Sequence, residues 1–423
     1  MSTRAGSALR PRLDRVRLRA DLEELAQIGR TATGGISRTA YSAADAEARS
    51  WYAARCRDAG FELTLDGLGN MFAGPARTGP QQAEVWTGSH LDTVPEGGAF
   101  DGAVGALAAL ECVRAITEAG AGLPHTVRAA VFADEEGYFG GRLLGSFGLA
   151  HGYQRAELDS ITGVRGERLA EVLAGWPWAS GDATGTRMPP GRIHAFVELH
   201  IEQGPRLEQE RTDIGVVTAI TGLCGARVEF AGEPGHAGTT PMADRHDALV
   251  GAAAFVSALP ELAAAVSADA VVTCGTLRVW PGAANVIPGR VSLTLDFRDP
   301  DRERLATLRD QLEAAAMTTA AAHGVTAAWH GHPLIDPVPM HDGVRRAIIE
   351  SADALGLSRM DLPSRAGHDA QNMAHLGPTG MIFVPSRGGR SHAADEYTSF
   401  DAIAAGADVL LATLLELAQG DHP

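Results

Sequence analysis

The sequence contains no lysine; all 36 of its basic residues are arginine. That absence excludes a Schiff-base lysine and the usual chemistry on a cofactor aldehyde. It also excludes a P-loop lysine, and with it the common form of phosphoryl transfer. Cysteine is scarce: Cys56, Cys112, Cys224 and Cys274 lie far apart and form no CxxC pair. Cys112 and Cys274 sit within apolar runs, as buried thiols do. Such usage fits a reduced protein, so a cytoplasmic location is expected. Positive charge is in deficit, 36 basic against 52 acidic residues, a net charge of -16. A duplex would be repelled, so no nucleic-acid partner is expected, although an anionic small substrate remains compatible with locally opposed charge. The Arg-rich start lacks an apolar signal core, and no window of about 18 apolar residues stands out as a span. No membrane partner is expected.

What is present is ordinary globular usage, 45% hydrophobic and 21% charged, over 423 residues. That length exceeds one compact core and implies two domains. Residues 1–12 read as a frayed arm. Helical spacing of apolar residues predicts helices over 13–28 and 43–59, closed by Gly29 and Gly60. Residues 61–65 alternate like a strand, and Asp66 to Asn70 form a turn. The Gly-Leu-Gly inside that turn lacks the third glycine and following helix of a nucleotide site. Strands at 83–89, 126–133 and 195–199 and a helix at 103–117 follow, while 152–192, rich in Trp, Pro and Gly, yields no site.

Near Gly215 the pattern changes. Strands at 214–220, 227–230, 271–279 and 291–297 surround Ala-rich helices at 246–265 and 302–323, an α+β module. After a hinge at 333–339 the earlier pattern resumes, with a helix at 343–355 and a strand at 381–384. The expected fold is therefore α/β: a catalytic domain with a mixed sheet and flanking helices over 1–213 and 334–423. A second domain is inserted at 214–333.

The stretch 87–102, TGSHLDTVPEGGAFDG, sets His90, Asp92 and Asp101 between a strand and a helix. His-x-Asp puts an imidazole beside a carboxylate able to accept its second N–H, as metal-bound histidines require. Alone, such a loop is more often a satisfied hydrogen-bonded turn. Glu135 and Glu136, His200 and His392, however, each follow an apolar strand too. Loops after successive strands of an open α/β sheet converge on one edge, where ligands bind. Three imidazoles and two carboxylates suit two divalent ions sharing a water, with Asp101 as a bridge. Two dications against three carboxylates leave about one net positive charge to hold hydroxide and an oxyanion. Adjacent glutamates point in different directions, so one can ligate while the other takes the water's proton. The donor set is compatible with zinc, manganese, cobalt or nickel.

The segments GSHLDTVPEGGAFDG, DEEG, ELHIEQG, GHAGTTPMADRHDA, NVIPG, AGHDAQ and PSRGGRSH, spread over 87–399, resemble one family. It is the hydantoinase/carbamoylase amidase branch of the aminoacylase-like zinc peptidases. The resemblance implies a zinc-peptidase-like catalytic domain, an inserted lid and dimerisation domain, and a homodimer. It implies His90, Asp101 and His200 as ligands of one ion, and Asp101 (bridging), Glu136 and His392 as ligands of the other. Glu135 would be general base and then general acid to the leaving nitrogen. His236 would polarise the scissile carbonyl, Asn285 and Arg298 would bind the substrate carboxylate, and Gln203 would contact the ureido group. The implied reaction is hydrolysis of an N-carbamoyl-L-amino acid, a small ureido acid, to amino acid, ammonia and carbon dioxide. Allantoate amidohydrolase or ureidopropionase activity is the near alternative, and dipeptidase or N-acyl aminoacylase activity the distant one. A silent binding protein would be expected to have lost some of this set.

Taken without the resemblance, His236 reads as a loop histidine in a Gly-rich turn and Arg298 as one half of an edge-strand ion pair. Asp92 is expected to orient His90, and His368 and Asp369 either support the site or cap a loop. The chain departs from the family after Gly137, where Tyr138-Phe139 replace a small residue followed by Arg-Phe. Arg365 and Arg390 stand where small residues are usual. These departures bear on the substrate rather than on the chemistry.

Overall fold

The structure, a computed structural model, describes residues 11–76, 82–141 and 143–420. The expected arm therefore lies almost wholly outside the described residues. Two compact units are present: 1–218 with 340–362 and 367–423, and 219–339 with 363–366.

The first unit opens with α1 (Arg15–Leu25) and α2 (Ala43–Asp58), capped by the side chains of Asp14 and Ser42. The hairpin β1 (Glu62–Leu65) and β2 (Met71–Gly74) follows. Its turn is held by Asp66, whose Oδ1 accepts the backbone N–H groups of Leu68 and Asn70, both at 2.9 Å. Asn70 in turn accepts from the backbone N–H of Ala133, so this Gly-Leu-Gly segment is a structural turn. Next come β3 (Glu84–His90), α3 (Ala103–Glu118), β4 (Val127–Phe132) and α4 (Leu144–His151). Short helices α5 (Arg155–Ser160) and α6 (Leu169–Gly175) lead to β5 (Ile193–Ile201), α7 (Arg206–Glu210) and β6 (Ile214–Ile220).

The second unit holds β7 (Gly222–Ala231), β8 (Gly235–His236), α8 (Ala248–Val266), β9 (Val271–Trp280) and β10 (Val286–Ile287). It continues through β11 (Arg290–Asp299), α9 (Arg302–Ala322), β12 (Thr326–Gly331) and β13 (Val338–Pro339). The chain then returns through α10 (Asp342–Ala354), β14 (Arg359–Ser364), α11 (Asp369–Met373), β15 (Thr379–Val384) and α12 (Phe400–Gln419).

The first sheet runs β1-β2-β4-β3-β5-β15-β6, with β14 also on β6. β4, β3, β5 and β15 are mutually parallel, whereas β1–β2, β2–β4 and β15–β6 pair antiparallel. Parallel strands are covered on both faces, and every residue of β3 and β4 is buried, including the polar Glu84, Thr87, Ser89 and His90 of β3. α3 and α12 bring alanine, leucine and valine onto this sheet and share its core with α1, α2 and α10. The mixed α/β fold expected from sequence is thus the fold observed.

In the second unit the sheet order is β12-β7-β11-β9, all antiparallel, and its core includes residues of α8 and α9. The compact unit begins later and ends later than the expected 214–333. Gly215 and Val216 ladder with β15 in the first sheet, whereas 334–339 belong to the second unit through the Leu223–Ile335 bridge and the pairing of Val338 with Ile220. β7 is ten residues long where a short strand at 227–230 was expected, because Gly222 and Gly225 dilute its alternation. α8 departs from expectation too. By length and composition alone it would cross a membrane. One face, carrying Ala248, Ala252, Phe255, Leu259 and Ala263, nevertheless belongs to the apolar core of this unit.

Candidate metal centre

The four parallel strands bring their following segments to one edge of the first sheet. His90 is the last residue of β3 and His200 the next-to-last of β5; Glu135 and Glu136 follow β4, and His392 follows β15. Asp101 reaches the same place from the loop before α3. That loop needs glycine at two points. Gly102 has φ 64°, and a Cβ there would come within 2.4 Å of the His90 ring. A Cβ on Gly98 would come within 2.1 Å of Glu396 Oε1.

Among the described residues three groups have their donor atoms within 4.8 Å of one another: His90–Asp101–His200 and Asp101–Glu136–His392, which share Asp101, and Glu198–His200–His368 behind them. Asp101 Oδ1 lies 3.1 Å from His200 Nε2 and 3.6 Å from His90 Nε2, while Oδ2 lies 3.5 Å from His392 Nε2. His392 Nε2 is also 3.2 Å from Glu136 Oε2. Both buried histidines have their tautomer set from behind. His90 Nδ1 pairs with the Asp92 carbonyl at 3.0 Å and His200 Nδ1 with the Ile201 carbonyl at 2.9 Å. A carbonyl only accepts, so each Nδ1 carries the hydrogen; His90 Nε2 turns to the carboxylates, and His200 Nε2, beside Asp101, also accepts the Gly102 backbone N–H at 3.2 Å.

Asp92 was expected to accept from His90 through its carboxylate. Its backbone carbonyl does so instead, because Oδ1 is 3.9 Å away and Oδ2 accepts the Glu136 backbone N–H at 3.2 Å. Asp92 therefore positions residues of both ligand groups.

The charge balance fits a cation. His90 Nε2 and Glu136 Oε1 are buried without a hydrogen-bond partner, a costly state for polar atoms that a metal ion would relieve. Burial pushes the Glu135 carboxyl well above the usual range; His90 opposes the rise, and Asp369, Glu136 and Asp101 add to it. Burial works against charging His90, yet Glu135, Asp101, Asp92 and Glu136 outweigh it and hold the imidazole well above its ordinary value. Asp101 is held well below the carboxylate range by His200 and His90 despite its burial. Glu136 raises His392 to about 9 against partial burial, with Asp101 and Glu396 adding. These carboxylates draw protons onto the imidazoles, and dications would displace those protons.

Glu135 Oε2 stands 3.4 Å from His90 Nε2, apart from the carboxylate of Glu136, so the two glutamates do diverge. Gln203, with φ 57°, donates from Nε2 to Asp101 Oδ2 at 2.7 Å. Its recorded side-chain bond is thus to the shared aspartate.

In the second unit, His236 and Asn285 meet at one small ladder. His236 pairs with Val286, and the Ala237 N–H donates to the Asn285 carbonyl at 3.0 Å. His236 Nδ1 accepts from the backbone N–H groups of Gly238 and Thr239 at 3.0 and 3.2 Å, which leaves Nε2 as the hydrogen-bearing nitrogen of the neutral ring. Arg298 grips Asp296 through Nε and Nη2 at 2.9 and 3.3 Å, and Nη1 donates to the Arg365 carbonyl at 2.8 Å. Arg365 pairs with Asp269 and Arg390 with Asp395, at 3.2 and 2.8 Å. Tyr138 donates its hydroxyl to Glu167 at 2.6 Å, while Phe139 is buried against Tyr41.

Around the candidate ligands stands a supporting layer, of which the sequence reading named His368 and Asp369 and missed Glu198, Ser391 and Glu396. Glu198, fully buried in β5, accepts from the Ser89 hydroxyl at 2.7 Å and the Ala370 N–H at 2.9 Å. The His368 ring packs edge-on to His200 with centroids 4.5 Å apart, and Asp369 is buried at the start of α11. Glu198 had a signal, a lone acid inside an apolar strand. Ser391 and Glu396 close on Asp101 from the segment after β15, and nothing in their own neighbourhood marks them.

Imidazoles and carboxylates gathered at the C-terminal edge of a mixed sheet, with a separate buried carboxylate beside them, are the layout of a hydrolase. Residues 86–416 match the model of peptidase family M20/M25/M40, and the chain belongs to that family. It is 36% identical over 403 residues to an N-carbamoyl-L-amino-acid amidohydrolase from Paenarthrobacter aurescens, covering 95% of this chain and 97% of that one. It is 34% identical over 400 residues to an allantoate amidohydrolase from Bacillus subtilis (strain 168), covering 94% and 96%. Among solved structures, an amidase of the hydantoinase/carbamoylase family from Burkholderia multivorans superposes with a TM-score of 0.90 at 36% identity. That match covers 97% of this chain and 99% of that one.

Proposed function

We propose that this chain is a binuclear metal-dependent amidohydrolase that cleaves the C–N bond of an N-carbamoyl-L-amino acid, giving amino acid, ammonia and carbon dioxide. The observation that carries the reading is the sharing of Asp101 by two ligand groups, with Glu135 buried next to them. His90, Asp101 and His200 would hold one ion, and Asp101, Glu136 and His392 the other. Bound there, two dications would lower the pKa of a shared water and polarise the ureido carbonyl.

Glu135 takes the proton of the attacking water and delivers it to the leaving nitrogen. Its burial keeps the pKa high enough for both transfers. His236 donates from Nε2 to the developing oxyanion, a role its tautomer supports. Arg298 and Asn285 bind the substrate carboxylate, and the hold of Asp296 keeps the Arg298 guanidinium in one orientation. Gln203 contacts the ureido group, or acts through the bond it makes to Asp101.

A homodimer is part of the reading. β9 is an edge of the second sheet, with Leu277 and Trp280 exposed on it, and α8 presents an exposed Val250. The four cysteines are free, in keeping with a cytoplasmic protein. Zinc, manganese, cobalt and nickel all suit the ligands.

Ammonia release from carbamoyl amino acids, allantoate and β-ureidopropionate, set beside release of free amino acid from dipeptides, tests the assignment. The highest kcat/KM should fall on a carbamoyl-L-amino acid. A clear preference for allantoate would favour the second reading, which rests on the Bacillus subtilis relative. A preference for dipeptides would overturn the ureido assignment.

A further inference from the structure

Asp101 Oδ2 is fully engaged. It accepts from Gln203 Nε2 at 2.7 Å and from the Ser391 hydroxyl at 2.6 Å. A carboxylate oxygen offers about two lone-pair sites, so these donors fill it. Yet Oδ2 is the atom that faces His392, on the side of the second ligand group. For Asp101 to bridge, one donor has to let go.

Ser391 is the donor able to do so. Its hydroxyl carries one hydrogen and has a second acceptor, Glu396 Oε2, at 2.9 Å. Glu396 is itself fixed. It is buried, and its Oε1 accepts the backbone N–H groups of Phe100 and Asp101 at 2.9 and 3.0 Å. The absence of a Cβ on Gly98 is what lets Glu396 come so close to the loop. The acceptor therefore waits in place whichever way the hydroxyl points.

We propose that Ser391 and Glu396 form a hydroxyl switch for the bridging carboxylate. Without the second ion, Ser391 donates to Asp101 Oδ2. When that ion is taken up, the hydrogen turns to Glu396 Oε2, and Oδ2 is released to bridge. Both are positioning residues, since they act on the ions only through Asp101. The switch rests on the two-ion reading given above.

The test is zinc uptake by the full chain, measured by equilibrium dialysis with elemental analysis, alongside thermal unfolding of the metal-free proteins. In Glu396→Gln the amide oxygen can keep the two backbone bonds, while its NH₂ donates to Ser391 and leaves the hydroxyl hydrogen aimed at Asp101. The first equivalent should bind as in wild type, and the second should weaken by about 10- to 100-fold, the usual effect of residues behind metal ligands. Ser391→Ala removes the competing donor, so its second equivalent should bind at least as tightly as in wild type. A loss in one of two neighbouring residues with none in the other would not come from loosening a loop. An unchanged second affinity in Glu396→Gln overturns the switch, as does weakening in Ser391→Ala. If Glu396→Gln fails to fold, the sign in Ser391→Ala decides. A wild-type protein that takes up one equivalent overturns the two-ion reading and the switch together. Two equivalents with either contrary result overturns the switch alone.

Discussion

His90 and His200 face each other with ring centroids 6.0 Å apart and planes inclined by 30°, and each turns its Nδ1 to a backbone carbonyl. Two buried imidazoles held so, with both Nε2 atoms aimed at Asp101, await a cation rather than each other. Dialysis against a chelator should therefore abolish ammonia release, and added zinc, manganese or cobalt should restore it. Turnover that persists in protein shown by elemental analysis to be ion-free would refute the metal-dependent mechanism.

The adjacent glutamates should separate by phenotype. Glu135→Gln should lose about 10²–10⁴ in kcat, the contribution of a general base, while keeping both ions. Glu136→Gln should lose the ion held with His392. Metal analysis of the two variants checks this, and the roles are reversed if Glu135→Gln is the one that sheds an ion.

His236 has its Nδ1 occupied by two backbone N–H groups, so only Nε2 can serve a substrate. His236→Ala should lower kcat by about 10²–10³, the cost of one oxyanion donor, with metal content unchanged. A fall confined to KM would place the side chain in binding rather than in stabilising the transition state.

Asp66 offers a pH signature remote from the metal centre. Burial raises its carboxyl to about 6, with the bonds from Asn70, Leu68 and Gly69 pulling the other way. In the unfolded chain it titrates near 4, at about the ordinary Asp value, so between these values the folded form holds more protons. Its contribution is thus most favourable below about pH 4, is lost as pH rises through about 6, and is flat above. Relative to Asp66→Asn, wild-type unfolding free energy should fall by about 1–2 kcal/mol across that window, allowing for partial exposure of the side chain. Denaturant titrations of both proteins from acid to neutral pH check it. A difference independent of pH would show that Asp66 titrates alike in both states.

The candidate ligands were legible in the sequence because they stand where a change of pattern is visible. His90, Glu135 and Glu136 each end or follow an apolar run, and the parallel order β4-β3-β5-β15 does the rest of the gathering. The supporting residues were less legible for a physical reason. Glu198 lies inside a strand buried on both faces, where period-two alternation carries no information about direction. Glu396 meets Phe100 from 296 positions away, a pairing no local pattern encodes. Arg298 is instructive the other way. Its bland reading, an ion pair along a strand, is visibly present with Asp296, and the functional reading has to be compatible with it. The late start of the second unit was missed because β6 is a single uninterrupted strand by composition, although its early residues ladder with β15.

The bond from Glu396 to the loop before α3 also constrains the order in which the molecule can be made. Domains generally fold as units as the chain leaves the ribosome, N-terminal parts first. Here the central unit, 219–339, is nearly continuous and emerges whole. The first sheet at that time still lacks β15, which must join β5 along its length, and the carboxylate that pins Asp101 has yet to be synthesised. His90, Asp101 and His200 are therefore long exposed as separate pieces of chain before the last segment fixes them. Acquisition of metal would thereby be deferred to nearly complete chains, and a product truncated before β15, though it carries four of the five proposed ligands, would lack the hold on Asp101.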